Sequence, residues 1–566
     1  MYIKWITTWE VDEVYFPENF QRAEMASSDK INFHFGSWKR ELSVRFIEDL
    51  PNDTIGLSRN LKDDVFIPDD ISYETNITKD SVSLGPVILY LISKRLIKRL
   101  DKLKARIENF SPFNGLIFIS TVSGINTEQQ TIEGYYLQPS SDTSESNWEK
   151  GIFPYPGAIF KRVPLPNSIN EHLYEMTNGC IFNSKFFSKW EMWEWLAPDK
   201  FIRNHLPYTT ELTTLDEINN MLDVFQSIYL KPKNGSGGKG IIQIKRDDQS
   251  LEITAKNQVT KVDSLDQHPI FESVLKRKNQ YMIQQGVPLK HDSRNVDFRI
   301  YMQKDETTQW KCSGLIARFS KPGSITTNLR YLDYLLPGKE AFEQLFGLDQ
   351  DEMELLEQKV VNICIKACQL LDQHGCYGDV AIDFILDNDL HVWILEINKR
   401  YGYKSFSLIN DSNLYGEIIR NPFLYASAIA GFSSVNKLQN ELEQKLSEKI
   451  TNYKLIRSES GTITNYKLIR NVRNASKPVL GSRGFVVYGK KALKDKINNE
   501  AMTKEDIHLD CTDSHMKNVS NDIAKTGENS FNKIEVQETE QVRGMSPKKE
   551  VDVETKGETR IINEDK

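Results

Sequence analysis

Long apolar runs are absent from this chain of 566 residues. Its most apolar short stretch, Leu84–Ile92, is roughly half of the ~20 residues that a bilayer span needs. No membrane span is expected. The start, Met1-Tyr-Ile-Lys-Trp, lacks a basic region, an apolar stretch and a small-residue cleavage site, so a secretory signal is not expected either. Cysteine is scarce and scattered: six residues, none in a Cys-x-x-Cys pair, which fits a reduced, cytoplasmic setting. Histidine occurs nine times, always singly, with no His-x-x-x-His and no His–Cys cluster, so a zinc site is not expected. There is no excess of basic residues. Lys and Arg number 72 against 79 Asp and Glu, a net charge of −7 that argues against nucleic acid as a partner. No Gly-x-Ser-x-Gly elbow supports a serine hydrolase of that type, and no His-Arg-Asp with Asp-Phe-Gly supports a protein kinase.

What is present is a soluble globular composition: 39% hydrophobic, 10% aromatic and 27% charged. The length implies two to four domains. Residues 1–80 alternate β-branched and aromatic residues between turn signals and read as a small β-rich N-terminal region. Residues 81–178 read as α/β. The spacing of apolar side chains predicts a helix over 87–109, followed by strands at Gly115–Ser120 and Thr131–Leu137. Residues 179–432 alternate strand and helix patterns, with helices expected over 185–196, 214–226 and 350–374. Residues 433–500 form an extension with a helix expected over 433–449. There Ile-Thr-Asn-Tyr-Lys-Leu-Ile-Arg occurs twice, at 450–457 and 463–470. Two copies are too few for a solenoid and read as a local duplication. Residues 501–566 hold 10 basic and 15 acidic residues with one aromatic, Phe531, and are expected to be a disordered acidic tail.

Three signals carry chemistry. In Tyr229-Leu-Lys-Pro-Lys-Asn-Gly-Ser-Gly-Gly-Lys-Gly-Ile-Ile, a short strand presents Lys231 and then a glycine-rich turn. Glycines let backbone N–H groups converge on an anion, and lysine adds a point charge for phosphate. A plain β-hairpin turn is the alternative. It is not a Walker A loop, because Gly240 follows Lys239 where Ser or Thr is required. Second, Asp383 and the pair Glu396 and Asn398 lie on two neighbouring apolar strands. Glu396 and Asn398 are two apart and share a face, so the three could converge as hard oxygen ligands for Mg²⁺. The alternative is surface carboxylates on a hairpin, disfavoured by the apolar run Trp-Ile-Leu-Glu-Ile-Asn. Third, Arg299 and Arg318 each sit in an apolar strand, as a fork for phosphate or carboxylate, or as half of a structural ion pair. Cys364 and Cys368, and Trp190 and Trp193, share helix faces and read as packing.

In this order, glycine-loop lysine, paired strand arginines and a final Asp…Glu-x-Asn, the chain resembles the ATP-grasp superfamily, with spacing like glutathione synthetase. It is more similar to the YheC/YheD family of spore-coat-associated, ATP-grasp-like proteins. The matching segments are Leu84-Gly-Pro-Val, Phe153-Pro-Tyr-Pro, Phe182-Asn-Ser-Lys, Lys189-Trp, Leu230-Lys-Pro, Ile283-Gln-Gln-Gly-Val, Asp297-Phe-Arg and Trp393–Asn398, and coverage runs from about residue 30 to 430. The resemblance implies an α+β ATP-grasp fold of two lobes, with 81–178 as a pre-ATP-grasp domain. It implies ATP and Mg²⁺ as cofactors. Lys189 and Lys231 would contact phosphates, with Ser236, Gly237 and Gly238 as the loop over them. Gln284, Gln285 and Val287 belong to the hinge whose backbone reads adenine. Asp383, Glu396 and Asn398 would hold Mg²⁺; Arg299, Arg318 and Asn328 would steady the transferred phosphoryl group. The activity implied is an ATP-dependent carboxylate–amine ligase that acts on an unassigned carboxylate and amine, a peptide included. The alternative implied is a non-catalytic nucleotide-binding or structural protein of the spore coat, with coat proteins as partners and a spore-associated location. One departure bears on this choice. Family members usually continue from the Asn into Gly-Gly, whereas Leu-Arg-Tyr-Leu-Asp-Tyr-Leu-Leu-Pro-Gly follows Asn328 here.

Overall fold

The computed structural model describes residues 1–7, 11–20, 29–108, 114–139, 147–235, 237–247, 250–256, 258–328, 330–402 and 412–432, and the short strands Val479–Leu480 and Val486–Val487. Residues 1–448 form one compact unit and 449–566 a second. In the second unit the two short strands pair antiparallel. The repeat at 450–470, the helix expected over 433–449, the acidic tail and Ser236 lie outside the described residues. Among the described residues no helix is long and apolar enough to cross a membrane.

Among the described residues, four sheets build the first unit. The first is built from strands within residues 2–85. Its spatial order is Tyr2–Ile6, Thr54–Ser58, Glu13–Pro17, Trp38–Ile47, Lys30–Phe35, Ser81–Gly85 and Glu74–Ile77. Alternation in Lys30–Phe35 buries Ile31, Phe33 and Phe35 on one face, as the period of two requires.

The second sheet holds Leu116–Ser120, Val87–Leu91, Ala158–Lys161 and Ile181–Phe182 as parallel neighbours. Thr131–Leu137 adds antiparallel to Leu116–Ser120. Here the structure corrects one expectation. Val87–Leu91 opens the segment expected to be helical, and it is a central strand; helices cover only Lys94–Ile97 and Asp101–Glu108. Every residue of Val87–Leu91 is buried between two parallel neighbours. A strand covered on both faces reads as a continuous apolar run, which periodicity alone does not separate from a buried helix.

The third sheet is antiparallel: Thr209–Glu211, Tyr281–Gln285, Ser227–Pro232, Ile242–Asp247, Ser250–Ala255 and Gln258–Val262. Helix Leu215–Phe225 covers it, through buried Ile218, Met221 and Leu222. The fourth is also antiparallel: Leu332–Pro337, Trp310–Ser320, Arg294–Lys304, Asp379–Leu386 and Val392–Asn398. Helix Gln350–Leu371 lies beneath it, capped by Asp349 and Glu352 in a capping box. Its buried face includes Val360, Cys364, Ala367 and Cys368, so the two cysteines are packing residues, as expected. Helix Ser412–Ile429 packs against the same sheet, with Ile418 and Ile419 meeting Tyr301, Ile316 and Ala381.

Candidate functional site

Strand alternation sorts the fourth sheet into two faces. Val296, Phe298 and Ile300 enter the core that the Gln350–Leu371 helix covers. Asp297 and Arg299 therefore point the other way. Pairing then lines up a row of charges: Arg318 stands opposite Asp297, Arg299 opposite Asp383, and Asp383 opposite Glu396. Asn398 lies two residues beyond Glu396 on the same strand. The third sheet faces this row with Lys231, Gln284 and Gln285, and helix Lys189–Leu196 contributes its first residue, Lys189. Together they line a cleft of about 540 Å³, a size ordinary for a small-molecule site.

The contacts are specific. Arg299 forks onto Asp383 at 2.6 and 2.8 Å. Arg318 forks onto Asp297 at 2.7 and 2.6 Å and reaches Asp383 at 3.1 Å. Thr327 donates its hydroxyl to Asp297. Both arginines are thus paired with carboxylates, the structural alternative foreseen for them. Each retains N–H donors from the five that a guanidinium carries. Burial pushes the Asp383 carboxyl up, but Arg299 and Arg318 outweigh it and hold it well below the usual carboxylate range. At Asp297 burial outweighs Arg318 and the carboxyl is raised.

Lys189 bridges the lobes: its Nζ lies 2.5 Å from Glu396 Oε2 and donates to Gly235 O at 3.0 Å. Lys231 donates to Gln284 Oε1 at 2.5 Å, and Gln284 donates on to Thr209 Oγ1 at 3.1 Å. Desolvation pulls the Lys231 ammonium down to about 8, against the pull of Glu396. Gln285 is fixed by Tyr208, whose N–H donates to its side chain at 3.1 Å and whose carbonyl accepts its N–H at 2.8 Å. Val287 lines the cleft just beyond, and Gly286 lies so close to Ser227 that a Cβ there would sit 2.7 Å from its carbonyl oxygen.

The glycine-rich segment is a hairpin turn between antiparallel strands that also roofs the cleft. Gly237, Gly238 and Gly240 have φ of +68°, +72° and +77°, which L side chains rarely adopt. A Cβ at Gly238 would overlap the Asn328 amide, so the turn rests on the segment Thr326–Asn328 of the facing lobe. After Asn328 the bulky residues form the edge strand Leu332–Pro337, with Tyr334 stacked on Phe319 at 4.3 Å.

The three residues expected to bind metal stand together. Asn398 Nδ2 is 3.3 Å from Asp383 Oδ2 and 3.1 Å from Glu396 Oε1. Two carboxylates and an amide form an all-oxygen donor set of the kind Mg²⁺ takes, so the residues fit. The ion would displace the Lys189 and arginine contacts and require Asn398 to turn its carbonyl inward.

Some residues of the site gave no separate sequence signal. Asp297, Thr209, Thr327, Arg330 and Arg400 line the cleft or brace its walls. The signal for Asp297 was its place two residues before Arg299, on the same strand face. Arg162 could not be placed from sequence. It donates to Asp379 at 2.5 Å and to Tyr401 O at 2.5 Å, while Gln303 donates to Asp379 at 2.7 Å, tying the second sheet to the fourth. Trp190 and Trp193 do stack, at 5.2 Å, with Lys233 over one ring and Arg203 over the other.

Two facing α+β lobes that enclose cations, a glycine turn and an Asp…Glu-x-Asn set make an ATP-grasp fold, the architecture the resemblance implied. Residues 178–429 match the family described as YheC/D like ATP-grasp. The chain is 26% identical over 400 residues to endospore coat-associated protein YheD of Bacillus subtilis (strain 168), covering 67% of this chain and 86% of that protein. It is 25% identical over 328 residues to endospore coat-associated protein YheC of the same organism, covering 55% and 85%. D-alanyl-alanine synthetase A from Vibrio cholerae O1 is similar in structure at a TM-score of 0.36 and 14% identity, covering 61% of this chain and 99% of that chain.

Proposed function

We propose that the chain is an ATP- and Mg²⁺-dependent carboxylate–amine ligase. The observation that carries this reading is the row Arg318–Asp297 and Arg299–Asp383–Glu396, facing Lys189 and Lys231 across one cleft. Lys189 and Lys231 hold phosphates as point charges, Gly237 and Gly238 cover them, and Gln284 to Val287 receive the base. Asp383, Glu396 and Asn398 would hold Mg²⁺, which when bound would supply positive charge near the phosphate oxygens.

A carboxylate oxygen forms a bond to the γ-phosphorus as the bond from phosphorus to the leaving oxygen of ADP breaks. This gives an acyl phosphate. An amine nitrogen then bonds to the acyl carbon, inorganic phosphate leaves, and a proton is released. Arg299, Arg318 and Asn328 stabilise charge on the transferring group through donors already in place. The glycine turn keeps water from the acyl phosphate.

A second reading, a nucleotide-binding structural protein of the spore coat, is favoured by two observations. Asp383 is fully engaged by two arginines, and the segment after Asn328 is a strand with bulky side chains. The names of the YheC and YheD relatives support a spore-coat association under either reading. Calorimetric titration of the full chain with Mg–AMPPNP, beside Lys231→Ala, tests the nucleotide site. Binding that the variant loses supports it; no binding by a folded protein sinks it. ADP release with carboxylate and amine pairs then separates the two readings.

A further inference from the structure

A second cavity, of about 430 Å³, lies beside the nucleotide cleft. Its walls are the start of helix Lys189–Leu196, the loop at 233–235 and the segment 396–400. The two cavities share Lys189, Gly235, Glu396, Asn398 and Arg400. A group bound in the second therefore abuts the residues assigned to the metal and the phosphates.

The charge of this cavity is unbalanced. It is lined by four cations, Lys189, Lys233, Lys399 and Arg400, and by two carboxylates, Glu191 and Glu396. Glu396 is taken by Lys189 at 2.5 Å. Glu191 caps its helix, accepting from Ser188 N at 2.7 Å. Lys233 is held by Glu211 from outside the cavity. Among the described residues, Lys399 and Arg400 form no ion pair. Lys399 donates to Phe187 O and stands 4.1 Å over the Phe187 ring, which anchors the ammonium and leaves donors free. Arg400 is exposed and presents its fork at the junction of the two cavities. A partly enclosed surface with more cations than carboxylates, whose fork and point charge have no ion-pair partner among the described residues, suits an anion. The triphosphate already has Lys231, the glycine turn and the strand arginines in the first cavity.

We propose that the second cavity holds the phosphoryl acceptor, and that this acceptor is a carboxylate carrying a further negative group, clamped by Lys399 and Arg400. This rests on the ligase reading above. The reactive carboxylate meets the γ-phosphoryl group at the Glu396–Asn398 end. One of its oxygens bonds to phosphorus as the bond to the ADP oxygen breaks, and that electron pair leaves with ADP. The ligand chemistry is a dicarboxylate, either free or as the side chains of an acidic peptide.

The test uses the full chain and begins with Mg–AMPPNP titration of each sample. Acids are then titrated into the nucleotide-loaded protein: glutarate beside butyrate, and an acetylated, amidated triglutamate peptide beside its triglutamine counterpart. The expected result is that glutarate, triglutamate or both bind about tenfold more tightly than their less charged controls. Preference in the glutarate arm alone assigns a free acid, and in the peptide arm alone a peptide. Arg400→Glu and Lys399→Gln are expected to weaken that binding by about tenfold more than they weaken Mg–AMPPNP. Because Arg400 is exposed, its variant keeps the test sound if Lys399→Gln fails to fold. Three results would overturn the proposal: no preference for the second charge, a preference that survives Arg400→Glu, or equal losses on acid and nucleotide, which would assign the cations to the nucleotide. A wild type that binds an acid selectively but no Mg–AMPPNP would overturn the ligase reading, and with it the acceptor role.

Discussion

Arg318 grips Asp297 through two parallel hydrogen bonds, Nε to Oδ1 at 2.7 Å and Nη2 to Oδ2 at 2.6 Å. The same Nη2 lies 3.1 Å from Asp383, so one guanidinium serves two buried carboxylates. Removing it strands Asp297 and leaves Asp383 with Arg299 alone, and breaking a buried pair from one side costs about 3–5 kcal/mol. Arg318→Met is expected to lose stability on that scale in urea unfolding. Arg318→Lys should fall between, because an ammonium keeps the charge but not the fork. A loss under about 1 kcal/mol for Arg318→Met would mean that water reaches the pair and screens it.

If Lys231 contacts phosphate, nucleotide binding should depend on pH. Burial lowers its ammonium to about 8, from the ordinary lysine value of 10.5. Below pH 8 it is charged in both the folded and unfolded chain, and its desolvation cost is fully present. As pH rises from 8 toward 10.5 the folded protein sheds the proton first and that cost is relieved. Binding behaves in the opposite sense, because phosphates favour the charged form. Affinity for Mg–AMPPNP should fall as pH rises through 8 to 9, with proton uptake on binding. Calorimetry at pH 8.5 in buffers of different ionisation heat measures that uptake. Lys231→Arg, always charged, should abolish this residue's share of it; uptake unchanged in the variant would assign the effect elsewhere.

Glu396 holds Lys189 at 2.5 Å and accepts from Asn398 at 3.1 Å. If Glu396 binds Mg²⁺, the metal must compete with Lys189 for it. Glu396→Gln removes one metal charge and frees the lysine for phosphate. Its AMPPNP affinity in EDTA should match or exceed wild type, while the tightening on adding Mg²⁺ should shrink by about tenfold. An undiminished Mg²⁺ effect would remove Glu396 from the metal site.

The sequence carried much of this arrangement because its signals were local. The glycine turn, the two arginine strands and Glu-x-Asn are each readable within a dozen residues, and the strand period puts Glu396 and Asn398 on one face. What was not legible depends on pairing between distant strands. Nothing near Arg318 says that it faces Asp297, 21 residues away. Nothing near Arg162 points to Asp379, 217 residues away. Val87–Leu91 was misread because burial on both faces erased the alternation that marks a strand. Arg400 was missed because its meaning lies in its place where the two cavities meet, a property of the assembled fold.

Gly237 and Gly238 allow strain and contact to be separated at the turn over the cleft. Both have positive φ, +68° and +72°. An alanine at either is expected to meet a backbone cost of roughly 1 kcal/mol. Their surroundings differ: a Cβ at Gly237 has nothing within 4 Å, whereas one at Gly238 would overlap the Asn328 amide and lie 3.2 Å from Thr326 Cγ2. If the turn must rest on Asn328 to close over the nucleotide, Gly238→Ala should weaken Mg–AMPPNP by about tenfold beyond Gly237→Ala, chiefly through a faster off-rate. Unfolding in urea should barely separate the two variants, because the turn lies outside the cores. A double variant, Gly238→Ala with Asn328→Ala, should fall below Asn328→Ala alone by no more than Gly237→Ala falls below wild type, since the overlap that weakens the single variant is gone and only the backbone cost remains. Strict additivity of the two losses would show instead that Gly238 acts through its own backbone and not through the contact with Asn328.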